Sequence, residues 1–303
     1  MNAKRIARQI TATLGLAIIG ISTVACQVPD PETGDRRIVE TYTAPAATLT
    51  GRYGAESYQT YKVFTPAGWK SSDRRNLIVF SHGGAWSFGT ANDVESVVMD
   101  LLSQGSVVVS IEYQLEVPAF DQTADIVTAT RWAQRNARVL GVDARRTFLA
   151  GHSAGAHLSV LAAVAPSNLR GGDFLIPLAG VVAVAGPYGV NDDAYDPSIL
   201  DIRVQEIIAN VNDCGGTECS DRILDSISPA TYVDSSDPAI YMVVGDEDEL
   251  APVAHALAVE SAYSSVGQDD RAWVDVVEGA GHQPGFGANA EYLEQFIATA
   301  GTF

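Results

Sequence analysis

The sequence predicts an α/β domain built on a mostly parallel sheet, and two features lead to this prediction. Short apolar runs with the length of buried strands alternate with longer segments whose apolar residues recur at helical spacing. The pentapeptide Gly151-His152-Ser153-Ala154-Gly155 stands between one such strand and one such helix, so the chain makes a tight strand-to-helix turn there. With 303 residues, 47% of them hydrophobic, the chain suffices for one large domain or two small ones.

Seven segments have the length and apolar content of strands. The first alternates apolar and polar residues and ends before a proline, as edge strands do. The others are nearly continuous apolar runs, which predicts strands covered on both faces of the sheet. In chain order the segments are Tyr58–Phe64, Asn76–Phe80, Val107–Ile111, Thr147–Ala150, Gly180–Ala185, Ala239–Val244 and Ala272–Val277.

Helices are predicted between and after these strands. The clearest is Asp125–Leu140, where the apolar residues fall on one face and Gly141 ends the pattern. Another helix follows Ser153 directly. The remaining helices are Val94–Leu102, Ile199–Ala209, Ala251–Ser265 and Asn289–Ala300. Because helices that alternate with strands act as crossovers, both faces of the sheet should carry helices.

The first 26 residues resemble an export signal. Basic residues precede an apolar stretch that is too short to span a membrane, and small residues follow it. Thr23-Val24-Ala25-Cys26 is similar to a bacterial lipobox, which makes residues 1–25 a signal peptide and Cys26 a site of lipidation. Ordinary cleavage after Ala25 is the alternative. We therefore expect an exported bacterial protein, either a membrane-anchored lipoprotein or a periplasmic or secreted protein.

Two further segments stand out along the chain. Residues 26–52 lack apolar periodicity, so we interpret them as a lipid-linked or flexible tether before a catalytic domain at 53–303. Residues 187–238 form an unusually long connection without a strong strand, which we interpret as a cap or lid insertion. Within it, Cys214 and Cys219 are close enough in sequence to form a disulfide in an oxidising compartment.

The charge of the chain limits its partners. The formal net charge is −18, which repels nucleic acid and anionic membrane surfaces. Only a lipid on Cys26 would bring the protein to a membrane. No cluster of residues has the spacing of metal ligands, so we expect neither a metal nor an organic cofactor.

A serine flanked by glycines at a strand-to-helix turn is typical of the nucleophile of a serine hydrolase. The turn lifts the Ser153 hydroxyl clear of the sheet and points the N–H groups of the following helix, beginning with Ala154, at an oxyanion. Further donors are expected from Gly83 and Gly84, which follow an early strand and let the backbone approach a substrate carbonyl.

Such a serine needs a general base and a carboxylate that orients the base. Among five histidines only His282 follows the last strand, and it lies in a flexible glycine-containing loop. The carboxylate should follow the strand Ala239–Val244, where several acids compete. Asp248 has the reach of a full turn back toward His282, whereas Asp246 would lie almost on the strand axis. We therefore favour Asp248 and keep Asp246 as the alternative.

The order Ser153, Asp248, His282, together with the His-Gly-Gly-x-Trp sequence at residues 82–86, resembles α/β-hydrolase esterases. The resemblance is to the hormone-sensitive-lipase and arylformamidase-like (feruloyl-esterase-like) carboxylesterase groups, and it covers residues 53–300. It implies an α/β-hydrolase fold and hydrolysis of a small to medium carboxylic ester through an acyl-enzyme. The alternatives are an amide-cleaving relative, such as an arylformamidase or peptidase, and a non-catalytic binding protein on the same scaffold.

Overall fold

The structure is a computed structural model that describes residues 22–29, 36–44, 46–189, 202–216, 219–286 and 290–300. The chain divides into two compact units, Met1–Ala46 and Ala47–Phe303. In the first unit, strands β1 (Ser22–Pro29) and β2 (Arg36–Ala44) pair in antiparallel orientation.

The described residues of the expected tether at 26–52 include strand residues, and its role as a tether stays a prediction. Its backbone forms paired strands, although its composition predicts a loosely packed arm. The second unit begins at Ala47 and not at residue 53, because a short strand at Leu49–Arg52 joins the main sheet. That strand has four residues, two of them exposed, which is too short and too polar to give a strand pattern. Residues 1–21 lie outside the described residues, so the signal peptide stays a prediction, as does the lipidation of Cys26 in β1.

The second unit is organised around one eight-stranded sheet. Its strands are β3 (Leu49–Arg52), β4 (Thr60–Phe64), β5 (Arg75–Ser81), β6 (Val107–Ile111), β7 (Val142–His152), β8 (Gly180–Val184), β9 (Ala239–Gly245) and β10 (Ala272–Val277). The strand order is β10-β9-β8-β7-β5-β6-β4-β3. Strands β5 to β10 pair in parallel, whereas β4 is antiparallel to both β3 and β6. All of the predicted strands are therefore present.

Helices cover the sheet. They are α1 (Ser96–Ser103), α2 (Ala119–Arg135), α3 (Ala137–Leu140), α4 (Ala154–Val164), α5 (Ile202–Val211), α6 (Asp221–Ile227), α7 (Val253–Ser265), α8 (Ala290–Thr299) and a short 3₁₀ helix, Pro229–Tyr232. Every residue of β6, β8 and β9 is buried, so both faces of the sheet are covered at its centre. Helix α4 is buried along its whole length as well. In the described part of the chain, no helix combines the length and apolar character that crossing a membrane requires.

The predicted helix Asp125–Leu140 is longer than expected and is divided in two. It starts at Ala119 and is interrupted at Asn136, whose φ is −101°. The side-chain amide of Asn136 donates to the carbonyl of Trp132 at 2.7 Å, and such local hydrogen bonds compete with the helical pattern. Gly141, in the left-handed conformation with φ 67°, ends the second part as predicted.

The long connection between β8 and β9 is described only in part. Its described residues form α5, α6 and the 3₁₀ helix, while residues 190–201 and 217–218 lie outside the description. Cys214 and Cys219 form the expected disulfide. A role of this segment as a cap or lid stays a prediction.

Four loops that matter for function leave the same edge of the sheet. In a parallel sheet the carboxyl ends of the strands lie along one edge, so residues far apart in sequence converge there. The loops after β5, β7, β9 and β10 carry Gly83, Ser153, Asp248 and His282, respectively.

The glycines of the strand-to-helix turn are required by close packing. A Cβ on Gly155 would lie 2.1 Å from the carbonyl oxygen of Ser81, and a Cβ on Gly151 would lie 2.3 Å from that of Gly155. We expect Gly155→Ala to lower the free energy of unfolding by about 3 kcal/mol in urea denaturation, because backbone cannot move aside cheaply. The control is Gly216→Ala, whose Cβ would meet no atom within 4 Å and should change stability by less than about 0.5 kcal/mol. A Gly155→Ala variant as stable as wild type would contradict this packing.

Candidate active site

Ser153 occupies the sharp turn between β7 and α4. Its backbone angles, φ 53° and ψ −123°, are rarely adopted by a residue with a side chain. The Ser153 N–H donates to the carbonyl of Val184 at 2.8 Å, and the Ser153 carbonyl accepts from the N–H of His157 at 3.0 Å. The surrounding strands and helix therefore hold the turn in this unfavourable conformation, with the hydroxyl at the N-terminus of α4.

The strain at Ser153 can be measured through stability. Ser153→Gly removes the Cβ and lets the turn adopt the same angles without steric cost, whereas Ser153→Ala keeps the Cβ. We expect Ser153→Gly to have a free energy of unfolding about 1 kcal/mol higher than Ser153→Ala, after the greater flexibility of unfolded glycine is subtracted. Urea denaturation of the two variants gives the comparison, and equal stabilities would mean that the turn is unstrained.

His282 bridges Ser153 and Asp248. Its Nε2 lies 2.8 Å from Ser153 Oγ, and its Nδ1 lies 2.9 and 3.0 Å from the two carboxylate oxygens of Asp248. Because an ionised carboxylate only accepts hydrogen bonds, Nδ1 carries the ring proton and Nε2 presents its lone pair to the serine hydroxyl. In this tautomer the ring can take the proton of Ser153.

Backbone donors hold the Asp248 carboxylate in place. Its Oδ1 accepts from the N–H groups of Leu250 and Ala251, each at 2.9 Å, and the side chain has no exposed surface. Asp246, the alternative from the sequence, is exposed, and its carboxylate accepts the N–H of Gly279 at 2.6 Å. The structure therefore brings Asp248 to His282, while Asp246 accepts a hydrogen bond from the loop that leads to His282.

The three expected oxyanion donors have different surroundings. A Cβ on Gly83 would lie 3.3 Å from the Cβ of Ser153, so this loop passes beside the serine. The Gly83 N–H donates to Glu95 Oε1 over a long 3.4 Å, whereas no acceptor for the Gly84 N–H occurs among the described residues. The Ala154 N–H is the first of α4 and has no intrahelical partner. Gly83 is thus partly engaged by a carboxylate that sequence reasoning did not anticipate.

The loop that carries Gly83 and Gly84 is anchored by buried hydrogen bonds at both ends. The Tyr113 hydroxyl donates to the carbonyl of His82 at 2.8 Å. The Gln122 amide donates to the carbonyl of Trp86 at 3.1 Å, and the Trp86 indole N–H donates to His157 Nδ1 at 3.2 Å. The tryptophan of the His-Gly-Gly-x-Trp sequence is therefore an anchor of the loop.

The pKa values of two buried histidines near Ser153 are shifted in opposite directions. Burial lowers the pKa of His157 to about 4, although a hydrogen bond to the carbonyl of Ile227 opposes the shift. Its neutral ring accepts from Trp86 and donates from Nε2 to that carbonyl at 2.7 Å. Burial also disfavours charge on His152, but the carboxylate of Glu95 and hydrogen bonds to Glu95 and the His282 carbonyl outweigh it. The pKa of His152 is therefore raised.

Glu95 is the residue of this site that sequence reasoning missed. Its Oε2 lies 2.7 Å from His152 Nδ1, although the two residues are far apart in the chain. The only signal was a histidine immediately before the serine, and nothing local shows which carboxylate pairs with it. Among the described residues, no group of three or more His, Cys, Asp or Glu side chains could hold a metal ion.

Comparisons with known proteins identify esterases among the relatives of this chain. Esterase LipC of Mycobacterium tuberculosis is 27% identical over 217 residues, which are 68% of this chain and 52% of that protein. The chain spans about half the length of the curated relatives it matches.

Solved structures share the fold at low sequence identity. A thermophilic esterase of Thermogutta terrifontis, with butyrate bound, is 20% identical with a TM-score of 0.66 over 84% of this chain and 94% of that one. A truncated carbohydrate esterase from gut microbiota is 22% identical with a TM-score of 0.69 over 85% of this chain and 98% of that one. The protein therefore has the α/β-hydrolase fold. Since residues 62–263 match the BD-FAE family, the chain belongs to that family.

Proposed function

We propose that the protein is a serine carboxylesterase that hydrolyses a small to medium ester through an acyl-enzyme intermediate. One observation carries the proposal. The Ser153 hydroxyl, the His282 ring and the buried Asp248 carboxylate form an unbroken hydrogen-bonded chain on a strained turn. Relatives described as esterases support the same reaction class.

The first half of the proposed reaction forms the acyl-enzyme. Ser153 Oγ attacks the ester carbonyl carbon while His282 Nε2 takes the hydroxyl proton, and Asp248 stabilises the resulting imidazolium. The carbonyl oxygen becomes an oxyanion, which the N–H groups of Gly84 and Ala154 stabilise together with that of Gly83. Each such donor contributes roughly 3 kcal/mol of transition-state stabilisation. The imidazolium then gives its proton to the departing alcohol oxygen as the carbon–oxygen bond breaks.

The second half regenerates the enzyme. Water attacks the acyl carbon while His282 takes one of its protons, and a second oxyanion forms in the same place. When this intermediate collapses, His282 returns the proton to Ser153 Oγ and the carboxylic acid leaves. The net reaction consumes one ester and one water and produces one acid and one alcohol, so the proposed chemistry needs no cofactor.

We propose neutral esters with short acyl groups as substrates. The formal net charge of −18 and the exposed acids at residues 246, 247 and 249 disfavour anionic substrates near the site. Phe88 has 56% of its surface exposed, and its carbonyl lies against Gly84, so it offers an apolar surface beside the proposed oxyanion donors. Butyrate bound to the Thermogutta esterase supports a short acyl chain by analogy.

A panel of chromogenic substrates tests this function. We expect hydrolysis of p-nitrophenyl acetate and butyrate, falling off for octanoate and laurate. The p-nitroanilides of the same acids should react at least about 100-fold more slowly, because the amine leaves less readily. Comparable rates for ester and anilide would favour an amide-cleaving enzyme, and turnover of neither would favour a binding protein.

We further propose that the protein is exported, with residues 1–25 removed, Cys26 lipidated and residues 187–238 acting as a cap. The lipobox-like Thr23-Val24-Ala25-Cys26 supports this, and the Cys214–Cys219 disulfide suits an oxidising compartment. Mass spectrometry of the N-terminal peptide from the native host should show a diacylglycerol-bearing Cys26. A peptide that begins at Cys26 without lipid would support secretion instead.

A further inference from the structure

The Glu95 carboxylate and the His152 ring form hydrogen bonds that connect two of the loops around Ser153. Glu95, immediately before α1, places Oε2 at 2.7 Å from His152 Nδ1 and accepts the Gly83 N–H on Oε1. His152 Nε2 in turn lies 2.8 Å from the backbone carbonyl oxygen of His282. The Glu95 and His152 side chains are only 15% and 6% exposed. The pair therefore links the loop of the oxyanion donors to the loop of the proposed base.

The partners of His152 determine how many protons the pair holds. A carbonyl oxygen can only accept a hydrogen bond, so Nε2 must carry a proton. The contact between Nδ1 and Glu95 needs a second proton, carried by either the ring or the carboxyl. If that second proton is lost, a lone pair of the ring faces a lone pair of an oxygen, and one of the two hydrogen bonds disappears. The geometry thus requires one proton beyond a neutral ring beside a carboxylate.

We propose that Glu95 and His152 form an ion-paired positioning dyad for the proposed esterase reaction. The dyad holds the backbone of His282 in place and keeps the charge of Glu95 neutralised beside the oxyanion donors. This inference rests on the proposed function, although the ion pair itself does not.

Neutralisation matters because of where the Glu95 carboxylate lies. It contacts the N–H of Gly83, which is one of the groups expected to face the developing oxyanion. An uncompensated carboxylate there would repel the negative charge of the transition state but hardly affect the neutral ester before attack. Loss of the shared proton should therefore lower kcat and leave KM nearly unchanged.

The dyad predicts a pH dependence. The groups that face His152 are Glu95 at the start of α1, Asp248 after β9 and His282 after β10. Burial lowers the pKa of His152, yet these carboxylates and hydrogen bonds raise it by more. The stabilisation by the pair is complete below the ordinary histidine pKa and is lost as the pH rises through the raised value. We expect kcat to fall along an alkaline limb that lies above the ordinary histidine range.

Glu95→Gln is the decisive variant. The glutamine oxygen can still accept from Gly83, and its amide N–H can donate to Nδ1 of a neutral His152 whose Nε2–H still reaches the His282 carbonyl. The network then survives without the extra proton. At neutral pH we expect Glu95→Gln to retain more activity than His152→Leu, and we expect the alkaline limb to disappear.

His152→Leu tests the charge directly. It removes the ring and leaves the Glu95 carboxylate beside Gly83 without its counter-charge. We expect kcat to fall about 100-fold with KM changed less than about threefold. The double variant Glu95→Gln/His152→Leu should regain at least about tenfold in kcat, because the carboxylate is gone. A merely structural role predicts a double variant no more active than His152→Leu.

Two further measurements complete the test. Glu247→Gln, which removes an exposed carboxylate after β9, should leave the pH profile unchanged. Histidine NMR titration of Ser153→Ala, which needs no activity, should show a His152 ring that stays protonated above the ordinary range, and Glu95→Gln should abolish this. If wild type hydrolyses no ester, the proposed function fails while the titration still decides the dyad. An ordinary His152 titration, or an alkaline limb retained in Glu95→Gln, overturns the dyad even if His152→Leu does not fold.

Discussion

Ser153→Ala should lower kcat for p-nitrophenyl acetate by about 10⁵-fold, with little change in overall stability. The substitution removes only the hydroxyl that hydrogen-bonds to His282 Nε2 at 2.8 Å. Alanine keeps the Cβ and the strained turn, so the neighbouring loops stay in place. The small remaining rate would come from oxyanion stabilisation of direct attack by water. Steady-state assays after removal of contaminating host esterases give the measurement.

A serine on the helix that follows Ser153 provides the matched control. Ser159 is buried in α4 and its hydroxyl donates to the carbonyl of Ala150 at 3.2 Å, away from the His282 ring. Ser159→Ala should keep kcat within about threefold of wild type. If Ser153→Ala kept more than about 1% of the wild-type activity, another nucleophile would have to be sought.

Asp248→Asn should lower kcat by about 10⁴-fold, for a reason that the hydrogen bonds of Asp248 make specific. Its Oδ1 accepts two backbone N–H groups, from Leu250 and Ala251. An asparagine would place its only oxygen there, so its NH₂ group would face His282 Nδ1. That contact favours the tautomer with the proton on Nε2, which cannot take a proton from Ser153. Activity should recover in part at alkaline pH, where solvent can assist.

Substitution of Asp246 distinguishes the tautomer explanation from a general effect of removing one negative charge near His282. Asp246→Asn removes the same charge from the same loop, and the asparagine oxygen can still accept the Gly279 N–H. We expect kcat within about threefold of wild type. Equal losses in Asp246→Asn and Asp248→Asn would contradict the assigned role of Asp248 and point to long-range electrostatics.

The central sheet could be predicted because its strands are buried on both faces. Segments such as Val107–Ile111 and Ala239–Gly245 contain almost only apolar residues, a pattern that few other structures require. Strand β3 escaped prediction because it has four residues and half of them are exposed. The division of the long helix at Asn136 also escaped, since it depends on one side-chain hydrogen bond within a pattern that is otherwise helical.

The candidate site was predictable where chemistry and chain order restrict the choice. Ser153 stands out through its flanking glycines, and His282 is the histidine that follows the last strand. The choice of Asp248 over Asp246 rested on the argument that Asp248 lies a full turn along the loop and can reach back toward His282. In the structure, the Asp248 carboxylate accepts the backbone N–H of Leu250, whereas the Asp246 carboxylate accepts that of Gly279.

The contacts of Glu95 were not predictable. They join α1, the turn before α4 and the loop after β10, and such contacts exist only once the sheet has assembled. The engagement of Gly83 by a carboxylate was missed for the same reason. The expected donor was identified from its glycine, but its actual partner comes from another element.

Covalent labelling tests the central claim most directly. Wild-type protein treated with a fluorophosphonate should gain one adduct by intact mass, and peptide mapping should locate that adduct on Ser153. Labelling should be absent in Ser153→Ala and much slower in Asp248→Asn, because the reagent requires the nucleophile that His282 activates. Wild-type protein that remains unlabelled, or that carries the adduct on another residue, would contradict the assignment of Ser153 as the catalytic nucleophile.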